Sequence, residues 1–160
     1  PMLIKRIYDE GNLLGNHSWS HAQLTRLSNE DILSQIEKTN ETIAKYTGFT
    51  PYMYRPPYGI YNENVISTAN MPAILWSIDP LDLKFDDSAY ITNYVLDHAF
   101  DGAIVLLRDT NQNTTQAFSA ILDGLIKEGF DIVTVDELLS LNPENRASNV
   151  RIFSRGAEIK

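Results

Sequence analysis

Cysteine is absent from the 160 residues. Disulfides and thiolate metal sites are therefore excluded, and His, Asp and Glu remain as the strong metal donors. The absence does not decide the compartment. No apolar run approaches the roughly 20 residues that a membrane-spanning helix needs. The opening PMLIKRIYDEG places Lys5, Arg6, Asp9 and Glu10 where the apolar centre of a secretion leader would lie, so the stretch does not read as one. Positive charge is in deficit, with 13 Lys and Arg against 21 Asp and Glu and a net charge of -8. Such a balance argues against nucleic acid as partner, because binders of the phosphate backbone carry a basic face; a neutral or cationic partner fits better. There is no internal repeat and no low-complexity segment.

What is present is a hydrophobic content of 43%, with Ile and Leu spread along a chain of single-domain size, enough to bury a core. MLIKRIYDEG has an apolar helical stripe at Leu3, Ile4 and Ile7, with Gly11 placed to end the helix. Apart from Pro1 no lead-in precedes it, so the chain is expected to start inside an element whose beginning lies elsewhere. NLLGNH reads as a short strand ending at His17. Ser28 with Asp31 resembles a capping box for a long helix carrying Ile32, Leu33, Ile36, Ile43 and Tyr46, stopped by Gly48. PYMYRPPYG reads as a strand running into a proline-stiffened turn, Asn62 as the cap of a short helix through Ala69, and PAILWSI as a buried strand with Trp76 in the core.

Further along, Asp87 or Ser88 caps a helix carrying Ile91, Tyr94, Val95 and His98, and GAIVLL is the plainest buried strand. Phe118, Ile121, Leu122, Leu125 and Ile126 give the next helix an apolar face closed by Gly129. FDIVTV reads as a strand, and Thr134 with Glu137 as a capping box for DELLSL. Helix and strand alternate, which predicts an α/β domain with a parallel sheet over residues 1–141. Residues 142–160 turn polar and read as a tail, with VRIF as a stray strand.

Four segments, each at the end of an expected strand, carry chemistry-bearing residues. His17 and His21 are four apart, which on a helical turn aims both imidazoles the same way, as chelation requires. The same pair is also what two polar loop histidines would give. Arg55-Pro56-Pro57-Tyr58 holds an arginine and a backbone amide on a stiff turn, or is simply a stiff turn with a surface arginine. Asp79 and Asp82 follow Trp76; acidic residues there also serve as helix caps. Arg108 and Asp109 end IVLLRD. His98, with no motif around it, reads as a surface or packed histidine.

In this order the segments resemble the polysaccharide deacetylase (NodB-homology) family of carbohydrate esterases, from about residue 2 to 141. His17-Ser18-Trp19-Ser20-His21 matches the family's His-Ser/Thr-x-x-His, and Arg55-Pro56-Pro57-Tyr58 its Arg-x-Pro-Tyr. Asp79-Pro80-Leu81-Asp82-Leu83 aligns with Asp-x-x-Asp-Trp, and Leu106-Leu107-Arg108-Asp109 with Leu-x-x-His-Asp. The resemblance implies a deformed (β/α) barrel, incomplete at its N-terminus, that hydrolyses N-acetyl groups of a peptidoglycan- or chitin-like polysaccharide. It implies Zn²⁺ or another divalent ion on His17 and His21, with Arg55 orienting the base, the Tyr58 amide facing an oxyanion and Asp82 tuning the general acid. Trp19, Pro57, Tyr58 and Leu106 are the implied sugar-groove residues, and an extracellular or cell-surface location is implied with them.

Three departures accompany the match. The family's Asp-Asp motif, source of the base and the third metal ligand, belongs upstream of the histidines; Phe85-Asp86-Asp87 imitates it but precedes a helix, so both aspartates are expected to be caps. Arg108 stands where the family has its catalytic histidine, and guanidinium does not surrender a proton, so an Arg108–Asp82 ion pair is expected instead. Leu83 replaces a tryptophan of the sugar groove. A missing N-terminal segment or a partner chain is expected to complete the barrel. Two further readings stay open: an inactive relative binding carbohydrate or protein, and a plain structural α/β domain without metal.

Overall fold

The computed structural model describes residues 2–145 and the backbone of 152–153. The described residues fall into two units, one within Pro1–Leu75 and Thr134–Phe153, the other within Trp76–Val133 and Ser154–Lys160.

The first unit holds helices α1 (Met2–Asp9), α2 (Asn29–Thr47), α3 (Glu63–Ala69) and α6 (Val135–Leu139), with strands β1 (Ala73–Ile74) and β2 (Ile152–Phe153). Local chemistry sets the ends of the helices. Ser28 accepts from the Asp31 amide and donates to its carboxylate, and Gly48 ends α2 at φ 75°. Asn62 caps α3 through the Val65 amide, and Thr134 with Glu137 forms the expected box on α6. Ile32 and Ile36 of α2 pack with Leu24, Tyr54, Val65, Met71 and Ala73 into one buried cluster. Leu33 and Tyr46, expected on the same face, are exposed instead. Helix α1 forms as expected, but Leu3 is exposed and no residue of the helix is fully buried. Tyr8 stacks on Phe49.

The second unit holds α4 (Ser88–His98) and α5 (Gln112–Lys127). Asp87 caps α4, whereas Asp86 is no cap: its carboxylate accepts from the Asn113 side chain. Ile91 and Val95 pack against Ala117, Ile121 and Leu125. The two helices meet at Gly124, where a Cβ would lie 2.7 Å from the methyl groups of Leu96. Phe118 and Ile126, expected in the apolar face of α5, are exposed.

Strand pairing is parallel, as the alternation of elements predicts, but the ladders are short. β1 pairs with β2, the stray strand within VRIF, and single parallel bridges join Asn16 to Tyr54, Tyr54 to Ala73, and Ile78 to Val105. NLLGNH and GAIVLL therefore contribute one bridging residue each, Asn16 and Val105, and PAILWSI the two residues of β1 with a further bridge at Ile78. FDIVTV forms no ladder among the described residues, and Ile132 and Val133 are half exposed. An apolar segment becomes a strand only where another supplies its N–H and C=O partners. Trp76 is half-buried, not core. Of the expected polar tail, 146–151 and 154–160 lie outside the described residues. No described helix is long and apolar enough to cross a membrane.

Candidate functional site

In the first unit the site begins at Asn16. Its amide donates to Met53 O (3.1 Å) and its carbonyl accepts from the Arg55 amide (2.8 Å), which brings the histidine segment beside the arginine segment. The chain then bends without forming a helix: Ser18 (φ 64°) and His21 (φ 57°) are left-handed. This corrects the expectation of a helical turn. The imidazoles converge nonetheless, with ring centroids 4.8 Å apart at 73°, and His21 meets the Tyr58 ring edge to face at 4.6 Å.

His17 Nδ1 lies 2.7 Å from Arg55 O. A carbonyl oxygen only accepts, so Nδ1 carries the proton and Nε2 keeps its lone pair. The protein around the ring strips its hydration and lowers the His17 pKa; the Arg55 carbonyl works the other way, and the charges of His21 and Arg55 reinforce the lowering. The neutral form, which is the one that binds metal, is favoured.

The Arg55 side chain is tethered to its own unit, Nε donating to Ile74 O (3.2 Å) and Nη2 to Leu75 O (3.4 Å). Pro56 and Pro57 are buried and lead into a 3₁₀ turn, Pro57–Gly59, in which Tyr58 is left-handed at φ 61°. Tyr58 is 62% exposed and Trp19 47%, the latter beneath Lys38 Nζ, 4.2 Å from its ring centroid.

In the second unit Asp82 is 0% exposed. One carboxylate oxygen accepts from the Arg108 amide (2.7 Å) and the Thr114 hydroxyl (2.8 Å), and the other pairs with the Arg108 guanidinium, as expected. Asn111 Nδ2 donates to the Asp82 carbonyl (2.5 Å), and Asp79 lies 3.5 Å from the guanidinium. Burial alone would lower the Arg108 pKa, but the hydrogen bonds and charges of Asp82 and Asp79 outweigh it and hold the pKa above its ordinary value. This group stays a cation. Leu106 is buried, its amide donating to Ile78 O, and Leu83 is exposed. His98 gives its Nδ1 proton to Tyr94 O and stacks on the Tyr94 ring, in keeping with a packed surface histidine.

Left-handed backbone outside glycine is uncommon and marks strain worth explaining. Among the described residues it occurs at Ser18, His21, Tyr58, Asn70, Leu81 and Ser140. Asn70 and Ser140 end α3 and α6. The other four lie inside the histidine, arginine and aspartate segments.

A family model for polysaccharide deacetylases matches residues 1–72. The solved structure of peptidoglycan deacetylase PdaC from Bacillus subtilis is similar with a TM-score of 0.85 and 38% identity, covering 88% of this chain and 69% of that one. This chain belongs to the polysaccharide deacetylase family. Peptidoglycan-N-acetylglucosamine deacetylase PgdA of Listeria monocytogenes is 41% identical over 138 residues, 86% of this deacetylase-family chain and 30% of PgdA, so the chain spans less than a third of that relative's length. The crystal structure of BA3943, described as a pseudoenzyme of the family from Bacillus anthracis, is 30% identical with a TM-score of 0.81, covering 86% of this chain and 50% of that one.

The residues of this deacetylase-family chain fit a divalent ion in part. Two imidazoles converge, and a backbone carbonyl fixes the His17 tautomer as outer partners of metal-bound histidines do. No group of three His, Asp or Glu that could hold an ion gathers among the described residues.

Asn16, Gln35 and Thr114 escaped the sequence reading. Thr114 is a buried hydroxyl on a helix face that otherwise reads as apolar. Asn40, which accepts from Asn16, offered a signal: it lies four residues after Ile36 and three before Ile43, a polar residue inside the buried stripe of α2.

Proposed function

We propose that this chain is the histidine-bearing part of a metal-dependent hydrolase that removes N-acetyl groups from a cell-wall polysaccharide, working at the cell surface. The observation that carries the reading is the convergence of His17 and His21, with the His17 tautomer fixed by the Arg55 carbonyl. The names of PgdA and PdaC support a peptidoglycan substrate. We place the chain in a deformed (β/α) barrel, a reading supported by its parallel pairings and its likeness to PdaC. A strand from outside the described residues, of this protein or of a partner, would cover Ile132 and Val133.

The chemistry a bound divalent ion supplies is polarisation of an acetamide carbonyl and acidification of water. Around it, His17 presents a neutral imidazole with its lone pair at Nε2, and the His21 ring converges on it. The guanidinium of Arg55, held against Ile74 and Leu75, is a fixed cation suited to orienting a carboxylate base. The backbone amide of Tyr58 is the candidate for holding an oxyanion, and the exposed rings of Trp19 and Tyr58 offer faces for a sugar, whereas Pro57, expected in the groove, is buried and stiffens the turn. Arg108 cannot give a proton to the departing amine, a step typically worth ~10²–10⁴ in rate. Asp82 holds that arginine where the family carries a histidine.

The Asp82–Arg108 pair favours a second reading, in which the chain binds N-acetylated glycan without turning it over; the likeness to BA3943 supports it. Zn²⁺ titration, followed by acetate release from peptidoglycan and chitooligosaccharide with and without Arg108→His, separates the two. Acetate from the unaltered chain excludes the second. Glycan binding with no acetate, even from Arg108→His joined to an Asp-Asp-bearing segment, excludes the first.

A further inference from the structure

The angle between the two imidazoles is not set by the residues that carry them. A five-residue bend with left-handed backbone at Ser18 and His21 contains no glycine to make that conformation easy, and no helix or ladder encloses it. It is fastened at two points to one element, helix α2. At the first, Asn16 is 1% exposed and its side chain is fully engaged: Oδ1 accepts from the Ser18 amide (2.8 Å), and Nδ2 donates to Ile36 O (2.9 Å) and Asn40 Oδ1 (2.7 Å). At the second, Gln35 Oε1 alone accepts from the Trp19 amide (3.0 Å), the Ser20 amide (2.9 Å) and the Ser20 hydroxyl (3.2 Å). Three consecutive backbone amides between the histidines are thus held: that of Ser18 by Asn16, which is itself anchored on α2 at Ile36 and Asn40, and those of Trp19 and Ser20 by Gln35 of α2. Neither Asn16 nor Gln35 is a member of the His-Ser-x-x-His pattern.

We infer that Asn16 and Gln35 are positioning residues, which clamp the histidine bend to α2 and thereby fix where the two imidazoles point. The inference rests on the histidine pair being the functional centre proposed above. Gln35 is the better place to test it, because it is half-buried and outside the core cluster, whereas changes at Asn16 strip donors from a buried amide and threaten folding. Gln35→Met keeps length and removes the acceptor. Gln35→Glu keeps the acceptor.

The experiment compares the unaltered chain with both variants, and its readouts are three. Long-range ¹H–¹⁵N NMR at pH 8 reports the His17 tautomer without any metal; Zn²⁺ titration reports affinity; thermal unfolding reports global stability. The expected result is a single Nδ1–H tautomer in the unaltered chain and in Gln35→Glu. Gln35→Met should give a mixture of tautomers and a loss of Zn²⁺ affinity of roughly 10-fold or more, the scale of an outer-shell defect, with a transition of unchanged cooperativity. An unaltered tautomer in Gln35→Met overturns the clamp. So does equal loss in Gln35→Glu and Gln35→Met, since that would make bulk at position 35, and not the acceptor, the cause. If the unaltered chain takes up no Zn²⁺, the metal reading fails while the tautomer comparison still decides the clamp.

Discussion

The histidine bend of the first unit and the aspartate cluster of the second solve opposite electrostatic problems with the same local devices. Both interrupt the chain with left-handed non-glycine residues, and both use backbone groups as partners. The bend ends with a proton placed on His17 Nδ1 and a lone pair left at Nε2. The cluster buries a carboxylate completely and spends both of its oxygens on Arg108 and Thr114. The first arrangement reserves bonding capacity and the second exhausts it. A buried charge that is fully paired is a structural element; a converging pair of imidazoles, one with its lone pair left at Nε2, is on the reading proposed above a place for a ligand.

The sharpest way to break this contrast is Arg108→Ala, which leaves the Asp82 carboxylate buried with only its amide and hydroxyl donors. The expected loss is about 3 kcal/mol in urea unfolding, and a loss below about 0.5 kcal/mol would put the pair among surface ion pairs. Next, His17→Ala should weaken Zn²⁺ by more than roughly 100-fold, about 2.7 kcal/mol by titration, with folding stability nearly unchanged. If stability falls as far as in Arg108→Ala, the two regions do not differ in kind. Thr114→Val removes one hydrogen bond to a buried charge at nearly constant shape and should cost about 2 kcal/mol.

The smallest effect is a pH dependence near Asp136, whose carboxylate accepts from the Tyr52 hydroxyl at 2.5 Å. Burial works to raise the pKa of Asp136, but hydrogen bonds from Thr134, Tyr52 and the Glu137 amide outweigh it and leave it below the usual carboxylate range. Burial and the same partnership push Tyr52 up. Because the folded pKa of Asp136 lies below the unfolded one, its contribution is complete above about pH 4. It is lost as pH falls through the folded value. Asp136→Asn should flatten that acid limb of a stability-versus-pH curve, and an unchanged limb would remove Asp136 from the account.

The helices were largely legible because their signals are local. Ser28, Asn62, Asp87 and Thr134 each cap a helix from within three residues, and the Ile32–Ile36–Ile43 stripe faces the core as its spacing says. Strands were legible only as apolar segments, since a ladder depends on what lies beside it; FDIVTV shows the cost. The Arg108–Asp82 pair followed from the family resemblance, which set both residues in its motifs, joined to the permanent charge of the guanidinium. The shape of the histidine bend did not, because neither Ser18 nor His21 announces positive φ, and the Gln35 amide that holds it is fifteen and sixteen residues away from the residues it binds.

The backbone at Ser18 carries one more consequence. Glycine there would relax the torsional burden and raise the melting temperature, yet it would also free the loop to swing between conformers. Thermal robustness and the geometry of the histidine pair therefore pull this single residue in contrary directions, and any laboratory selection for heat tolerance alone should drift toward glycine at 18 at the expense of the metal binding proposed above.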